Sequence, residues 1–114
     1  MRQLVKIFKA LSDTNRVRIL KMLQVRPMCV CEITDVLSLA SSTVSKHLSI
    51  LRDAGFIIDE KEGKWVNYRL DSKSSGNYIK ELLPLLAGWL PDDAVVNADL
   101  AKVREVDRNM ICGA

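Results

Sequence analysis

The residues best equipped for chemistry in this chain are its three cysteines, Cys29, Cys31 and Cys112. Thiolates are soft ligands and select soft, thiophilic ions. The spacing Cys29-Val30-Cys31 restricts how two sulfurs share one ion. On a regular helix, side chains at i and i+2 point about 200° apart. In an extended segment they point the same way. Chelation by the pair therefore competes with helix at the segment that carries it. The plainer alternative is core packing, since buried cysteines commonly act as small apolar residues.

Their compartment follows from the rest of the chain. The opening residues Met1-Arg2-Gln3-Leu4 lack the long apolar stretch of an export signal. No apolar run approaches the ~18–20 residues that cross a bilayer. An odd number of cysteines argues against a disulfide framework. The expectation is a cytoplasmic chain with no membrane contact and with free thiols. A thiol beside a helix N-terminus is also expected to have a lowered pKa.

The elements that position these cysteines are read from hydrophobic spacing. With 114 residues, 48% hydrophobic and 27% charged, the chain has the composition of one globular domain. Leu4, Ile7, Phe8 and Leu11 form one apolar helix face. Ser12 or Asp13 caps a second helix from about Thr14 to Gln24, with Val17, Leu20 and Leu23 inward and Pro27 beyond its end. The thiol pair opens a third helix with Ile33, Val36 and Leu37 on its buried face. A fourth spans about Thr43 to Ala54, burying Val44, Leu48 and Leu51, with Gly55 at a left-handed cap. Phe56–Glu60 and Trp65–Leu70 then read as strands of a hairpin turning at Lys61-Glu62-Gly63-Lys64. Two more helices, split by Pro91, carry Ile79, Leu82, Leu83, Leu86 and Leu90, then Val96, Leu100 and Val103.

This order is a winged helix-turn-helix of the α+β class, mostly α, with a two-stranded wing. One domain covers 1–114, with the helix-turn-helix at about 29–54, the wing at about 56–70 and C-terminal helices at about 77–110. The recognition helix begins near Ser41. It offers Ser41, Ser42, Thr43, Ser45 and Lys46 to base edges and phosphates. Capping is the competing role for the two serines. His47, the one histidine, suits a phosphate contact or a buried hydrogen bond. Lys61 and Lys64 flank the wing turn and suit phosphate or minor-groove contact, or simple solubility, while Trp65 and Tyr68 are expected to pack the hairpin. Residues 1–26 hold seven Lys/Arg and only Asp13 as acid, within a net charge of +3 for the chain. That basic front half suits a phosphate-facing surface, or a solvated helix face.

These residues resemble the ArsR/SmtB family of metal-responsive repressors, in its arsenic-sensing branch. The resemblance covers about residues 4–90 and is carried by Phe8-Lys9-Ala10-Leu11-Ser12-Asp13-Thr14-Asn15-Arg16-Val17-Arg18-Ile19-Leu20, Cys29-Val30-Cys31-Glu32-Ile33, Ser45-Lys46-His47-Leu48-Ser49-Ile50-Leu51-Arg52-Asp53-Ala54-Gly55 and Gly63-Lys64-Trp65-Val66-Asn67-Tyr68-Arg69-Leu70. It implies a homodimer joined by its first and last helices and a palindromic double-stranded DNA operator. No cofactor is implied in the DNA-bound state. Trivalent arsenic or antimony acts as inducer, releasing DNA. The branch's ligand box has three cysteines, and here the third position is Thr34. Cys112 is the candidate replacement, with a free tail thiol as its bland alternative. The zinc site of other branches is not expected, because Asp99 and Asp107 stand there without a histidine. The alternatives are sensing of cadmium, lead, bismuth or oxidants through the same thiols, and, remotely, a thiol-disulfide redox protein.

Overall fold

The first apolar face closes on the core only in part. In a computed structural model that describes residues 1–73 and 77–111, α1 (Arg2–Leu11) buries Ile7 and Ala10 but leaves Phe8 60% exposed and Val5 42% exposed. Cys112 lies outside the described residues. The helix α2 (Thr14–Leu23) starts as expected. Asp13 Oδ1 accepts the Asn15 N–H at 2.8 Å and the Arg16 N–H at 3.1 Å, satisfying two orphan donors of the first turn. Val17 is half-buried, while Ile19, Leu20, Met22 and Leu23 all bury. This helix packs against α1 and three further elements, so its burial has no single face.

The strand β1 (Met28–Cys29) is not evident from the sequence. It pairs antiparallel with β3 (Trp65–Leu70) at Met28↔Tyr68 and Cys29↔Asn67. Two residues carry too little alternation to read as a strand. The helix α3 (Val30–Leu37) follows directly and buries Ile33, Val36 and Leu37. The turn to α4 (Ser41–Ala54) passes through Ser38 at φ 57. Gly55 ends α4 at φ 94, where a side chain would be strained. The wing is β2 (Ile57–Glu62) against β3, with Glu62 opposite Trp65. Its turn is therefore the two residues Gly63-Lys64, shorter than the four expected, with Gly63 at φ 60. Sheet order is β1-β3-β2.

The C-terminal part holds α5 (Asn77–Gly88), α6 (Ala94–Glu105) and α7 (Arg108–Ile111). The second helix of the expected pair thus breaks at Val106, whose backbone is extended. There Arg26 Nη2 takes the Val103 carbonyl at 3.0 Å and the Val106 carbonyl at 3.1 Å. The chain then folds α7 back on α3. One hydrophobic core joins Ile7 and Leu20 to Leu48, Phe56, Leu83 and Val103.

Lys21 is buried in this core and acts as a cap. Its Nζ donates to the carbonyls of Leu86 (2.9 Å), Ala87 (3.3 Å) and Trp89 (2.7 Å), the end of α5. Cations suit that end of a helix dipole. Lys21→Ala leaves those carbonyls without their donor, and the expected loss is about 1–3 kcal/mol. Urea denaturation followed by circular dichroism measures it; a midpoint equal to wild type would mean water replaces the ammonium at no cost.

Candidate effector site and nucleic-acid interface

Cys29 and Cys31 straddle the step from strand to helix. Cys29 ends β1 in an extended conformation, φ −88 and ψ 167, and is the N-cap of α3. Cys31 sits half-buried in the first turn of that helix. The pair is therefore neither both helical nor both extended, which answers the competition expected from its spacing. Cys29 is 3% exposed. Its sulfur accepts the Glu32 N–H, and Glu32 Oε1 accepts the Cys29 N–H at 3.1 Å, a capping box with a thiol in the usual place of a hydroxyl. Glu32 Oε2 pairs with Arg26 Nη2 at 3.1 Å.

Burial pushes the Cys29 thiol up, and the Glu32 charge pushes it the same way. The Glu32 N–H and the Arg108 charge oppose them without prevailing. The lowered pKa expected at a helix N-terminus is thus overturned for Cys29, because desolvation outweighs one backbone donor. Thr34, where the family box has its third thiol, spends its hydroxyl on the Cys31 carbonyl at 2.8 Å. Among the described residues no three His, Cys, Asp or Glu side chains converge. Asp99 is buried and held by both Arg18 nitrogens at 2.8 and 2.9 Å. Asp107 Oδ1 accepts the Asn109 N–H at 2.9 Å at the start of α7.

The exposed face of α4 is where nucleic acid would be met. Ser41, Ser42, Thr43, Ser45 and Lys46 are all exposed, while Val44, Leu48 and Leu51 are buried behind them. Ala40 is the N-cap, so the two serines are not capping residues. His47 is half-buried, with Nδ1 at 3.3 Å from Arg16 Nη1. A guanidinium only donates, so Nδ1 is the acceptor in this contact.

Of the seven basic residues in 1–26, Arg16, Arg18, Lys21 and Arg26 are engaged by other parts of the protein. Arg16 takes the Lys9 and Ala10 carbonyls at the end of α1, Arg18 holds Asp99, Lys21 caps α5 and Arg26 holds Glu32. Lys6 pairs with Asp53 at 3.2 Å on the surface. The wing shows the reverse. Its acids Asp59, Glu60 and Glu62 are paired by Arg52, Arg69 and Arg108. Lys61 and Lys64 are exposed at the tip, Lys64 over the Trp65 ring at 5.0 Å. Arg26, Glu32 and Arg108 were not singled out from sequence. The signal for Glu32 was available, since an acid three residues after a cap is the capping-box spacing.

Glu32→Gln keeps an acceptor for the Cys29 N–H and removes the charge that disfavours the thiolate. Alkylation of Cys29 by iodoacetamide, followed by peptide mass spectrometry from about pH 7 to 10, should then rise at lower pH than in wild type. Coincident profiles would show that the carboxylate charge is not felt at the sulfur.

Comparison with known proteins agrees with this geometry. Residues 13–59 match the family described as "Bacterial regulatory protein, arsR family". The chain is 32% identical over 107 residues to the arsenical resistance operon repressor of Escherichia coli, covering 93% of this chain and 83% of that protein. It is 34% identical over 100 residues to the arsenic resistance transcriptional regulator ArsR1 of Pseudomonas putida, covering 84% and 78%. It is 38% identical over 79 residues to the cadmium resistance transcriptional regulatory protein CadC homolog of Staphylococcus aureus, covering 68% and 62%. Among solved structures, HlyU from Vibrio cholerae superposes with a TM-score of 0.63 at 33% identity, covering 75% and 88%. The homodimeric winged helix-turn-helix DNA-binding domain from Mycobacterium bovis gives a TM-score of 0.64 at 26% identity, covering 75% of each chain. These are DNA-binding regulators, not enzymes, which removes the thiol-disulfide redox reading. With its cysteine pair at the start of a helix-turn-helix and a charged wing beyond it, this chain belongs to the arsR family of bacterial transcriptional regulators.

Proposed function

We propose that the chain, with its cysteines reduced, works as a homodimeric repressor that leaves its palindromic operator when trivalent arsenic or antimony binds Cys29 and Cys31. The observation that carries this reading is the position of the pair: one sulfur is the cap of α3 and the other sits in its first turn. Drawing both onto one ion pulls the Cys29 sulfur from the Glu32 N–H and loosens the first helix of the DNA-binding pair. The recognition helix then loses its support, and Ser41, Ser42, Thr43, Ser45, Lys46 and His47 lose their register. Lys61 and Lys64 add phosphate contacts from the wing.

A second copy has an apolar surface to meet. Val5 and Phe8 on α1 and Leu85 and Trp89 on or just after α5 are exposed, and contiguous apolar surface, where it forms, commonly marks protein contacts. The relative from Mycobacterium bovis is homodimeric. The third ligand would be Cys112, which follows Ile111 in the chain. The helix that ends at Ile111 packs on α3. A cytoplasmic setting suits such a regulator, and no described helix is long and apolar enough to cross a membrane.

Cadmium is the second reading, favoured by the resemblance to a cadmium resistance regulator. Chemical balance separates the two. Arsenite at neutral pH is the uncharged As(OH)3. Each As–S bond formed replaces one As–OH, and the thiol hydrogen leaves with that hydroxide as water. A dication binding two thiols releases two protons instead. Arsenite therefore needs no net ionisation of a sulfur that is 3% exposed and whose thiolate burial disfavours, whereas the dication does.

Gel-shift titration on the chain's own promoter tests the reading. Cys29→Ser and Cys31→Ser should bind DNA as wild type does and lose release by arsenite; normal release in either variant refutes it. Lowering the pH from about 7.5 to 6.5 should weaken cadmium-driven release about tenfold or more and leave arsenite-driven release nearly unchanged. Cys112→Ser should raise the arsenite needed for release, and an unchanged curve would leave a two-thiolate site with hydroxide on arsenic. Lys46→Ala should weaken DNA binding and flatten its salt dependence by about one phosphate.

A further inference from the structure

We infer that Arg108, from the C-terminal segment, is the positioning residue that sets the wing's two lysines for DNA. This rests on the reading above that the wing touches DNA. A two-stranded hairpin is marginally stable alone, and the outer part of this one extends past its third strand. The strand β1 pairs with β3 only at Tyr68 and Asn67. Beyond those residues, Lys61↔Val66 and Glu62↔Trp65 project with no third strand beside them.

Arg108 grips that projecting half through both strands at once. Its Nη2 donates to Glu62 Oε1 on β2 at 2.8 Å, and its Nη1 donates to Asn67 Oδ1 on β3 at 2.9 Å. Asn67 Nδ2 closes the ring by donating to Glu62 Oε2 at 2.8 Å. The guanidinium also lies over the Trp65 ring at 5.0 Å, and the neighbouring Lys64 ammonium stands at 5.0 Å from the same ring. Planar, forked and stacked contacts of this kind are what arginine provides and lysine does not.

Two effects on the tip follow. The bridge fixes the angle at which the hairpin leaves the body. It also neutralises Glu62, which would otherwise offset the charge of Lys61 or Lys64. Because α7 also packs on α3, the element that opens at the thiol pair and the wing share one support.

A double-mutant cycle on the promoter complex tests this, using the full-length reduced protein without effector. Arg108→Ala is expected to weaken binding about three- to tenfold when Lys61 and Lys64 are present. In a Lys61→Ala, Lys64→Ala background it should change binding less than about twofold, because nothing remains to be positioned. Arg108→Lys keeps the charge and loses the fork, and should recover less than half of the loss. Tryptophan emission of the free protein should shift on Arg108→Ala, and the same comparison in a Trp65→Phe background should show no shift; a shift that survives Trp65→Phe would mean that Arg108 acts elsewhere than at the wing. Equal losses in both lysine backgrounds would overturn the inference and assign Arg108 to general stability. Lysine substitutions that leave affinity unchanged would overturn it too, by showing that the wing does not touch DNA, while recognition by α4 would stand.

Discussion

The buried carboxylate of Glu32 is the constraint on which the arrangement depends. It receives the N–H of Cys29 and the guanidinium of Arg26, and Arg26 in turn holds the last carbonyls of α6 at Val103 and Val106. Three chain segments therefore meet at one carboxylate: the end of β1, the start of α3 and the end of α6. A buried charge is costly unless paired and hydrogen-bonded, so each partner is required by the others. The break at Val106 follows from this knot, and with it the return of α7 toward α3 and the wing.

The distribution of cations makes the same point about cause. Counting charge along the chain finds seven Lys/Arg against one acid in the first quarter and invites a phosphate-facing surface there. The fold instead spends Arg16, Lys21 and Arg26 on carbonyls at helix ends and Arg18 on a buried aspartate. Helix C-termini leave unsatisfied acceptors, and long cationic side chains are well suited to reach them from a neighbouring helix. At the wing, by contrast, Asp59, Glu60 and Glu62 are paired by arginines, which leaves Lys61 and Lys64 exposed at the tip.

How legible this was depended on whether a feature is local. Asp13 and Gly55 announce helix ends by type alone, and Val44, Leu48 and Leu51 place one helix face by spacing, so the helix-turn-helix and its exposed serines followed from the sequence. The resemblance added the role of the thiol pair. Phe8 was read as core because it shares the spacing of Ile7, yet an apolar stripe wider than the core it meets leaves an edge outside. The strand at Met28–Cys29 exists only because β3 lies beside it, a pairing about forty residues away in sequence. The same applies to Lys21 and Arg108, whose partners lie 65 and 46 residues away. The direction of the Cys29 pKa was misjudged for a related reason, because the helix N-terminus is a local feature and burial is not.

The energetics of the junction fit the size of effect that a repressor needs. A helix cap is worth about 0.5–2 kcal/mol, and in a dimer it would be lost twice on effector binding, for about 1–4 kcal/mol in all. If only the capped state grips the operator, linkage converts that sum into a fall in affinity of about fivefold to a thousandfold. The advantage of specific over random DNA is typically about 4–10 kcal/mol, so the caps alone erase a substantial part of it. No large rearrangement of the core around Leu20 and Leu48 is needed. A switch built on this cap would be sensitive, because the hydrogen bonds that an effector at Cys29 would disturb are those that start the helix.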